Sequence, residues 1–353
     1  MKALLLKGPG EAIVTELEKP SLGPDDVLIR SHAVGICGSD VELYLGIRPQ
    51  GYYRYPIVPG HEWSGEVAAV GERVRGISPG DKVVSEGFLF CGTCRNCRMG
   101  LTNLCEAGYE EIGFTRTGGL AEYVAVPARL VHTLPGDAPL EEAALLEPSA
   151  VVAHAFLRAQ PRAGDTVIVV GDGTIGLLAV QLARLFSPAL IALVGSRTER
   201  LALGRQLGAT HILNARESDP APLIRSLTAG QGADLVFEAG NRPEGVEQAM
   251  SLARRGGTVV LEGIAGSGAH LSVESDIFVL KHLAVLGIFG ASSAAWTYAV
   301  QIFRAGLLNL APLVTHRFTL GEYQTALDTL ISRQAQMLKV LIVHDGDQEG
   351  RKR

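Results

Sequence analysis

The stretch TVIVVGDGTIGLLAVQLARLF, running from Thr166 to Phe186, decides the fold. Val167 to Val170 form a short apolar run, glycines follow at 171, 173 and 176, and an amphipathic helical pattern comes next. A G-x-G-x-x-G turn between a buried strand and a helix is the arrangement that receives a dinucleotide. Gly171 permits a sharp turn, Gly173 lets main-chain N–H groups come close to a pyrophosphate, and Gly176 lets the helix close on the strand. The phosphates are then expected at the helix N-terminus, beside Thr174 and Ile175, where unpaired N–H groups attract anions. Asp172, between the first two glycines, is expected to be a solvated turn residue.

Downstream, Leu190–Val194, His211–Leu213, Leu235–Glu238, Thr258–Glu262 and Ala284–Gly287 are strand candidates, with helical patterns such as Arg200–Leu207 and Pro243–Ala253 between several of them. Six strands alternating with helices predict an α/β doubly wound parallel sheet. Upstream the pattern differs. Short β-like runs (Ala3–Leu6, Val27–Ser31, Glu66–Val70, Lys82–Ser85, Ala121–Val126) are separated by Gly, Pro and Asp turns, which reads as a β-rich domain over residues 1–150. Residues 141–159 look helical. After about 290 the regularity fades into a mixed tail that ends in the apolar strand Lys339–Val343.

A chain of 353 residues is long for one domain and comfortable for two. With 47% hydrophobic and 20% charged residues it is globular rather than disordered. A net charge of −5 with no internal basic run gives no footing for nucleic acid, and the basic end Arg351-Lys352-Arg353 reads as solvated. The apolar run after Met1-Lys2 is too short for a signal-peptide core, and no apolar segment approaches membrane-spanning length, so a cytoplasmic location is expected.

Five cysteines, an odd number, argue against a disulfide framework and towards metal. Cys91, Cys94, Cys97 and Cys105 are separated by two, two and seven residues. Four thiolates close a tetrahedral zinc shell and leave no open position, which predicts a structural zinc in an exposed loop. The alternatives are four reduced cysteines without metal, or an iron–sulfur cluster whose usual spacings this set matches only loosely. The fifth cysteine lies in Gly35-Ile-Cys37-Gly-Ser39-Asp40, and His61 follows in Pro59-Gly60-His61-Glu62. Together with Glu147 these make an incomplete, open zinc shell of the catalytic kind. Taken singly, Cys37 reads as a small core residue and His61 as a satisfied turn histidine.

Cys37-Gly-Ser39-Asp40, Gly60-His61-Glu62, the 91–105 loop, Leu146-Glu147-Pro148 and the 171–176 turn occur in this order. The chain resembles the zinc-containing medium-chain dehydrogenase/reductase family, in its polyol (sorbitol, galactitol) and threonine dehydrogenase branch, over nearly its whole length. The resemblance implies a GroES-like β-rich catalytic domain, 1–150 completed by 290–353, with a Rossmann domain inserted at 151–289. It implies that Cys37, His61 and Glu62 hold a catalytic zinc and that Glu147 binds it directly or through water. It also implies that Ser39 starts a proton relay, where the plain reading is a turn-stabilising serine. Many relatives carry a histidine five residues after the ligand cysteine, and this chain has Glu42. A carboxylate titrates about two units lower, so either burial raises it, water carries the proton, or Glu42 is a surface charge.

An NAD-specific chain usually ends its second strand on an acidic residue that binds the ribose hydroxyls. Here the strand runs into Gly195-Ser196-Arg197-Thr198-Glu199-Arg200. A glycine makes room, a serine hydroxyl can donate, and the Arg197 fork can grip a phosphate, which predicts NADP(H), with Arg200 beside it. The same Gly-Ser-Arg is similar to that of NADP-dependent secondary alcohol dehydrogenases in the family. In the plainer reading both arginines are solvated helix-start charges and Glu199 serves NAD. Glu238-Ala239-Gly240 is a weaker cofactor-turn candidate. The resemblance thus implies two zinc ions, a homodimer or homotetramer, and hydride exchange between NADP(H) or NAD(H) and a secondary alcohol. A polyol, cyclitol or amino alcohol fits. The Arg-Tyr pair of sorbitol-oxidising relatives is missing from Gly287-Ile288-Phe289-Gly290-Ala291. Phe114, Arg116, Trp296 and Glu86 are pocket candidates by position alone. The alternatives are an NAD-dependent threonine- or sugar-dehydrogenase-like enzyme, a zinc-free reductase of the same fold, and a non-catalytic NADP-binding sensor.

Overall fold

The computed structural model describes residues 1–266, 268–332 and 336–344; the basic end at 351–353 lies outside the described residues. The chain divides into two compact units. The first contains Met1–Ala150, Ala291–Gly306 and the described residues from Leu310 onward, and the second contains Val151–Gly290 with Leu307–Asn309. This is the GroES-like plus Rossmann-type α/β architecture expected from the sequence.

In the second unit a parallel six-stranded sheet has the order His211–Asn214, Leu190–Gly195, Thr166–Val170, Ala233–Glu238, Ala253–Leu261, Ala284–Gly287. The order reverses direction between Thr166–Val170 and Ala233–Glu238, and the crevice at such a switch point is where doubly wound sheets receive ligands. Thr166–Val170 is buried between two neighbours, which is why it reads as an unbroken apolar run rather than an alternating one. The helix Thr174–Arg184 buries every residue from Gly176 to Ala183.

The first unit is organised around one long strand, Asp26–Ile36, with Glu62–Val70 on one side and Lys339–Val343 on the other. The C-terminal strand therefore completes a sheet begun near the N-terminus. Residues 141–159, which read as helical, hold two helices, Leu140–Ala143 and Leu146–Ala159. The tail after 290 holds a regular helix, Ser293–Arg304, and a second strand, Val314–Phe318, that the local pattern did not announce.

The three turn glycines have separate physical reasons. Gly171 has φ +119°, and a Cβ there would lie 2.9 Å from the Ala239 carbonyl. A Cβ on Gly176 would lie 1.9 Å from the Gly171 carbonyl oxygen. Gly173 has an ordinary φ of −81°, and a Cβ there would meet nothing within 4 Å. Gly176→Ala is therefore expected to cost more than about 2 kcal/mol of stability. Gly173→Ala should leave urea unfolding unchanged within about 0.5 kcal/mol, because it adds a methyl to open space.

Candidate functional site

The ladders of the first unit explain why its reactive side chains meet. Gly35 pairs with Glu62 on one flank of the central strand, and Ile36 pairs with Val340 on the other. Cys37 leaves the strand just past these pairs, so His61, Glu62 and Lys339 arrive beside it. Gly35 is needed because a Cβ there would lie 2.2 Å from a Glu62 carboxylate oxygen. Cys37 is also the N-cap of the helix Gly38–Leu45, and its Sγ accepts the Ser39 N–H at 3.3 Å.

One ligand atom from each of Cys37, His61 and Glu62 lies within 4.8 Å of the others. His61 Nε2 is 3.3 Å from Cys37 Sγ. On the far side of the ring, His61 Nδ1 faces Asp40 Oδ1 at 3.6 Å, and neither atom has a hydrogen bond. Asp40 Oδ2 meanwhile accepts the Cys37 N–H at 3.0 Å. Asp40 thus orients both Cys37 and His61, and it leaves Nε2 pointing at the thiol. A carboxylate behind a histidine is the usual means of fixing a metal-binding ring. Burial opposes charge on both members. The neighbouring Cys37 and Asp40 nevertheless push His61 well above its ordinary value, and His61 with the Cys37 N–H holds Asp40 below its own. Three convergent donors of mixed S, N and O type, two of them buried, fit a zinc ion with an open position.

Lys339 was not read as a site residue. Its Nζ donates to both Glu62 oxygens, at 2.7 and 2.6 Å, and both side chains are buried. Burial disfavours the charged ammonium, yet Glu62 and Cys37 more than compensate and raise it above the ordinary lysine value. The available signal was a lysine opening an otherwise apolar strand, since a buried lysine must be paired. Glu147 lies outside the three-donor cluster. It is half-buried at the start of Leu146–Ala159, and desolvation with Glu62 and Glu111 nearby pushes it up to about 8.

A second polar network flanks His61. Phe114 packs on the His61 ring at 4.6 Å, and the Arg48 guanidinium lies 3.7 Å over Phe114. Arg48 donates to the Tyr109 hydroxyl at 3.1 Å, Tyr109 donates to the buried Glu111, and Glu42 is 3.9 Å from Arg48. Glu42 is therefore part of a half-buried ion network rather than a solvated helix charge. Of the other pocket candidates, Glu86 is buried against His132 and the Ser293 hydroxyl, Trp296 is buried, and Arg116 is exposed on Glu110.

The four loop cysteines converge as well, with one Sγ from each inside 4.8 Å. Cys91 Sγ accepts N–H groups from Thr93 and Cys94, and Cys94 Sγ accepts that of Cys97. The Thr93 hydroxyl and these N–H groups lower Cys91 to about 5, while desolvation and the surrounding thiols push Cys97 up to about 12. Four adjacent thiols cannot all ionise without a cation among them, so the donor set fits a closed zinc shell.

In the second unit Gly173 caps the helix Thr174–Arg184 with no side-chain cap, which leaves the N–H groups of the first turn, including those of Thr174 and Ile175, available. The open space over Gly173 fits a pyrophosphate. Asp172 overturns its sequence reading. It is buried, and its Oδ2 accepts the N–H groups of Ser196 at 2.7 Å and Arg197 at 2.8 Å. The room left by Gly195 is filled by this carboxylate, since a Cβ at 195 would sit 2.6 Å from it. Arg200 is buried too, 3.8 Å from Asp172, so it is not a solvated charge. Glu238 is buried and takes the Gly240 N–H at 2.6 Å, which organises the turn after the strand Ala233–Glu238.

Residues 23–136 match the alcohol dehydrogenase GroES-like domain, and residues 174–305 match the zinc-binding dehydrogenase domain. The chain is 35% identical to a protein named L-threonine 3-dehydrogenase from Symbiobacterium thermophilum, over 98% of each chain. It is 31% identical to a Bacillus subtilis sorbitol dehydrogenase, over 97% of each. A solved structure described as a zinc-binding dehydrogenase of Sinorhizobium meliloti 1021, bound to NADP, superposes with a TM-score of 0.89 at 32% identity, covering 97% of this chain and 98% of that one.

Metal analysis of the purified protein is expected to find about two zinc ions per chain. Cys37→Ser should lose one of them together with turnover, and Cys91→Ser should lose the other together with thermal stability. Full turnover in Cys37→Ser would overturn the assignment. Lys339→Met strands a buried carboxylate and is expected to cost about 3 kcal/mol or more in urea unfolding. Adding Glu62→Gln to Lys339→Met should recover most of that loss.

Proposed function

Because the chain belongs to the zinc-containing medium-chain dehydrogenase/reductase family, we propose that it transfers a hydride between NADP(H) and a secondary alcohol or its ketone, with a polyol, cyclitol or amino alcohol as substrate. The observation that carries this reading is the convergence of Cys37, His61 and Glu62, with His61 oriented by Asp40. A retained open donor set of this kind argues against a zinc-free reductase and against a non-catalytic sensor.

When bound, zinc supplies a Lewis acid that favours an ionised substrate hydroxyl, and the nicotinamide supplies the hydride acceptor. The residues set the charge of the site: Lys339 Nζ is paired with both Glu62 oxygens, and the buried Asp40 carboxylate stands behind His61. Asp40 holds His61 in register without entering the donor set. The Ser39 hydroxyl takes the substrate proton, and the Glu42 carboxylate, 3.9 Å from the Arg48 guanidinium, stands where many relatives carry the histidine that passes it on. Glu147 supplies a further carboxylate close enough to feel His61 and Glu62.

For the cofactor, the strand Leu190–Gly195 ends without an acidic residue, while Ser196 and Arg197 stand at the turn. This supports NADP(H) over NAD(H). For the substrate, Glu62 and Leu146-Glu147-Pro148 favour the polyol and threonine side of the family, and the absent Arg-Tyr pair at 287–291 speaks against ordinary sorbitol oxidation. The second reading, an NAD-dependent threonine- or sugar-dehydrogenase-like enzyme, draws support from the 35% identity to the threonine relative. Among the described residues no helix is long and apolar enough to cross a membrane. The edge strand Ala284–Gly287 and the exposed Val279 and Leu280 favour assembly with a second copy of this chain.

A panel of polyols, cyclitols and amino alcohols, run in parallel with NAD⁺ and NADP⁺, tests the reading. Turnover of a secondary alcohol with preference for NADP⁺ is expected. Preference for NAD⁺ would overturn the cofactor reading, and no oxidation of any member would overturn the substrate class.

A further inference from the structure

Glu111 is a carboxylate only 6% exposed, and its protein partners answer one of its two oxygens. It opens a tight turn over residues 111–116, in which the N–H groups of Phe114, Thr115 and Arg116 converge on the Glu111 carbonyl. That turn is pressed on the donor cluster. A Cβ at Gly113 would lie 2.9 Å from the His61 main-chain nitrogen, and the Phe114 ring packs on the His61 imidazole at 4.6 Å. Glu111 Oε2 takes the Tyr109 hydroxyl and stands 3.8 Å from the Arg48 guanidinium. Glu111 Oε1 makes no hydrogen bond among the described residues, and it faces Gly87, where a Cβ would touch it at 3.4 Å. Burial pushes Glu111 above the ordinary carboxylate range, and the foremost charge opposing that shift is His61. A buried acceptor left in this state is costly unless a ligand donates to it.

The nearby cations are already engaged. Arg48 donates to the Tyr52 carbonyl at 2.9 Å and to the Tyr109 hydroxyl at 3.1 Å, and its guanidinium lies 3.7 Å over the Phe114 ring. It is also shared between two carboxylates, Glu42 at 3.9 Å and Glu111 at 3.8 Å. Lys339 is held by both Glu62 oxygens, and Arg54 and Arg116 face Glu110 at 3.9 and 2.8 Å. We propose that Glu111 is a specificity-determining residue whose Oε1 accepts a substrate ammonium on the carbon next to the reacting carbinol, so that the site takes an amino alcohol without a carboxylate beside the amine. The proposal rests on the dehydrogenase reading and narrows its substrate class. An ammonium brings a full charge to a water-poor carboxylate, whereas a hydroxyl brings only its dipole. A substrate carboxylate on the same carbon would stand beside Glu111 with no unengaged cation among these side chains to answer it.

The test is steady-state oxidation of three compounds on one carbon frame, 3-aminobutan-2-ol, butane-2,3-diol and threonine, with NADP⁺ and with NAD⁺. The diol exchanges the ammonium for a hydroxyl, and threonine exchanges a methyl for a carboxylate. On the unaltered, zinc-loaded protein, kcat/KM for the amino alcohol should exceed that for each of the others by about tenfold or more, as one hydrogen bond between charged groups provides. Glu111→Gln keeps an acceptor for Tyr109 and removes the charge. It should raise KM for the amino alcohol by about tenfold, with kcat for it and both constants for the diol changed by less than about threefold. Zinc content and thermal unfolding show whether the variant is intact. Calorimetric titration of the amino alcohol and the diol into the unaltered protein with cofactor reads the same preference without turnover or substitution. Equal or weaker binding and oxidation of the amino alcohol relative to the diol would overturn the proposal, as would an equal loss on both in an intact Glu111→Gln. Threonine as the best of the three would overturn it too. If none of the three is oxidised while cyclohexanol is, the substrate assignment fails and the dehydrogenase reading stands. If no secondary alcohol is oxidised with either cofactor, the dehydrogenase reading fails and takes this assignment with it.

Discussion

A carboxylate taken out of water must be answered by a donor, and both functional regions of this chain are arranged around that constraint. Glu62 sits in the middle of the first unit's sheet with its two oxygens on Lys339, a residue 277 positions away in sequence. That pair joins Lys339–Val343 to Glu62–Val70 across the strand that leads into Cys37, so the closed sheet also brings the donor cluster together. An unpaired charge at this depth would cost several kcal/mol. Asp40 satisfies the same requirement from within the motif, by capping Cys37 and facing His61.

The second unit repeats the logic with Asp172. Its carboxylate pins the turn after Leu190–Gly195 through two main-chain N–H groups, and the glycines at 171, 176 and 195 are the positions that let backbone and carboxylate approach so closely. Of the three glycines in the 171–176 turn, Gly173 is the one with no internal reason to be glycine, which fits a ligand approaching the main chain there. A fold that places a bare helix N-terminus there offers an anion a site already formed.

The parts of this account that were legible in the sequence are those with local signatures. Lys82–Ser85, Ala284–Gly287 and Lys339–Val343 have the boundaries their apolar runs suggest, and Thr166–Val170 followed by the glycine turn announces the parallel sheet. Cys37, His61 and Glu62 were named together through the resemblance that their ordered motifs carry, and their donor atoms converge. What local pattern could not supply was pairing over long range. Nothing near Lys339 points to Glu62, and nothing near Asp172 points to a turn 24 residues later. Asp172 looked like a polar turn residue because its partners are main-chain N–H groups, which leave no trace in composition. Glu42 was left open between a proton relay and a surface helix charge, since Arg48, Tyr109 and Glu111 become its network only once the loops fold together.

The central claim is that Cys37, His61 and Glu62 form an open metal centre distinct from the closed four-thiol loop. The most direct measurement is a crystal structure with anomalous diffraction recorded on both sides of the zinc absorption edge. The account predicts two zinc peaks per chain, one among Cys91, Cys94, Cys97 and Cys105, and one in contact with Cys37 Sγ and His61 Nε2. A single peak confined to the loop, with Cys37 and His61 bonded only to each other, would contradict it.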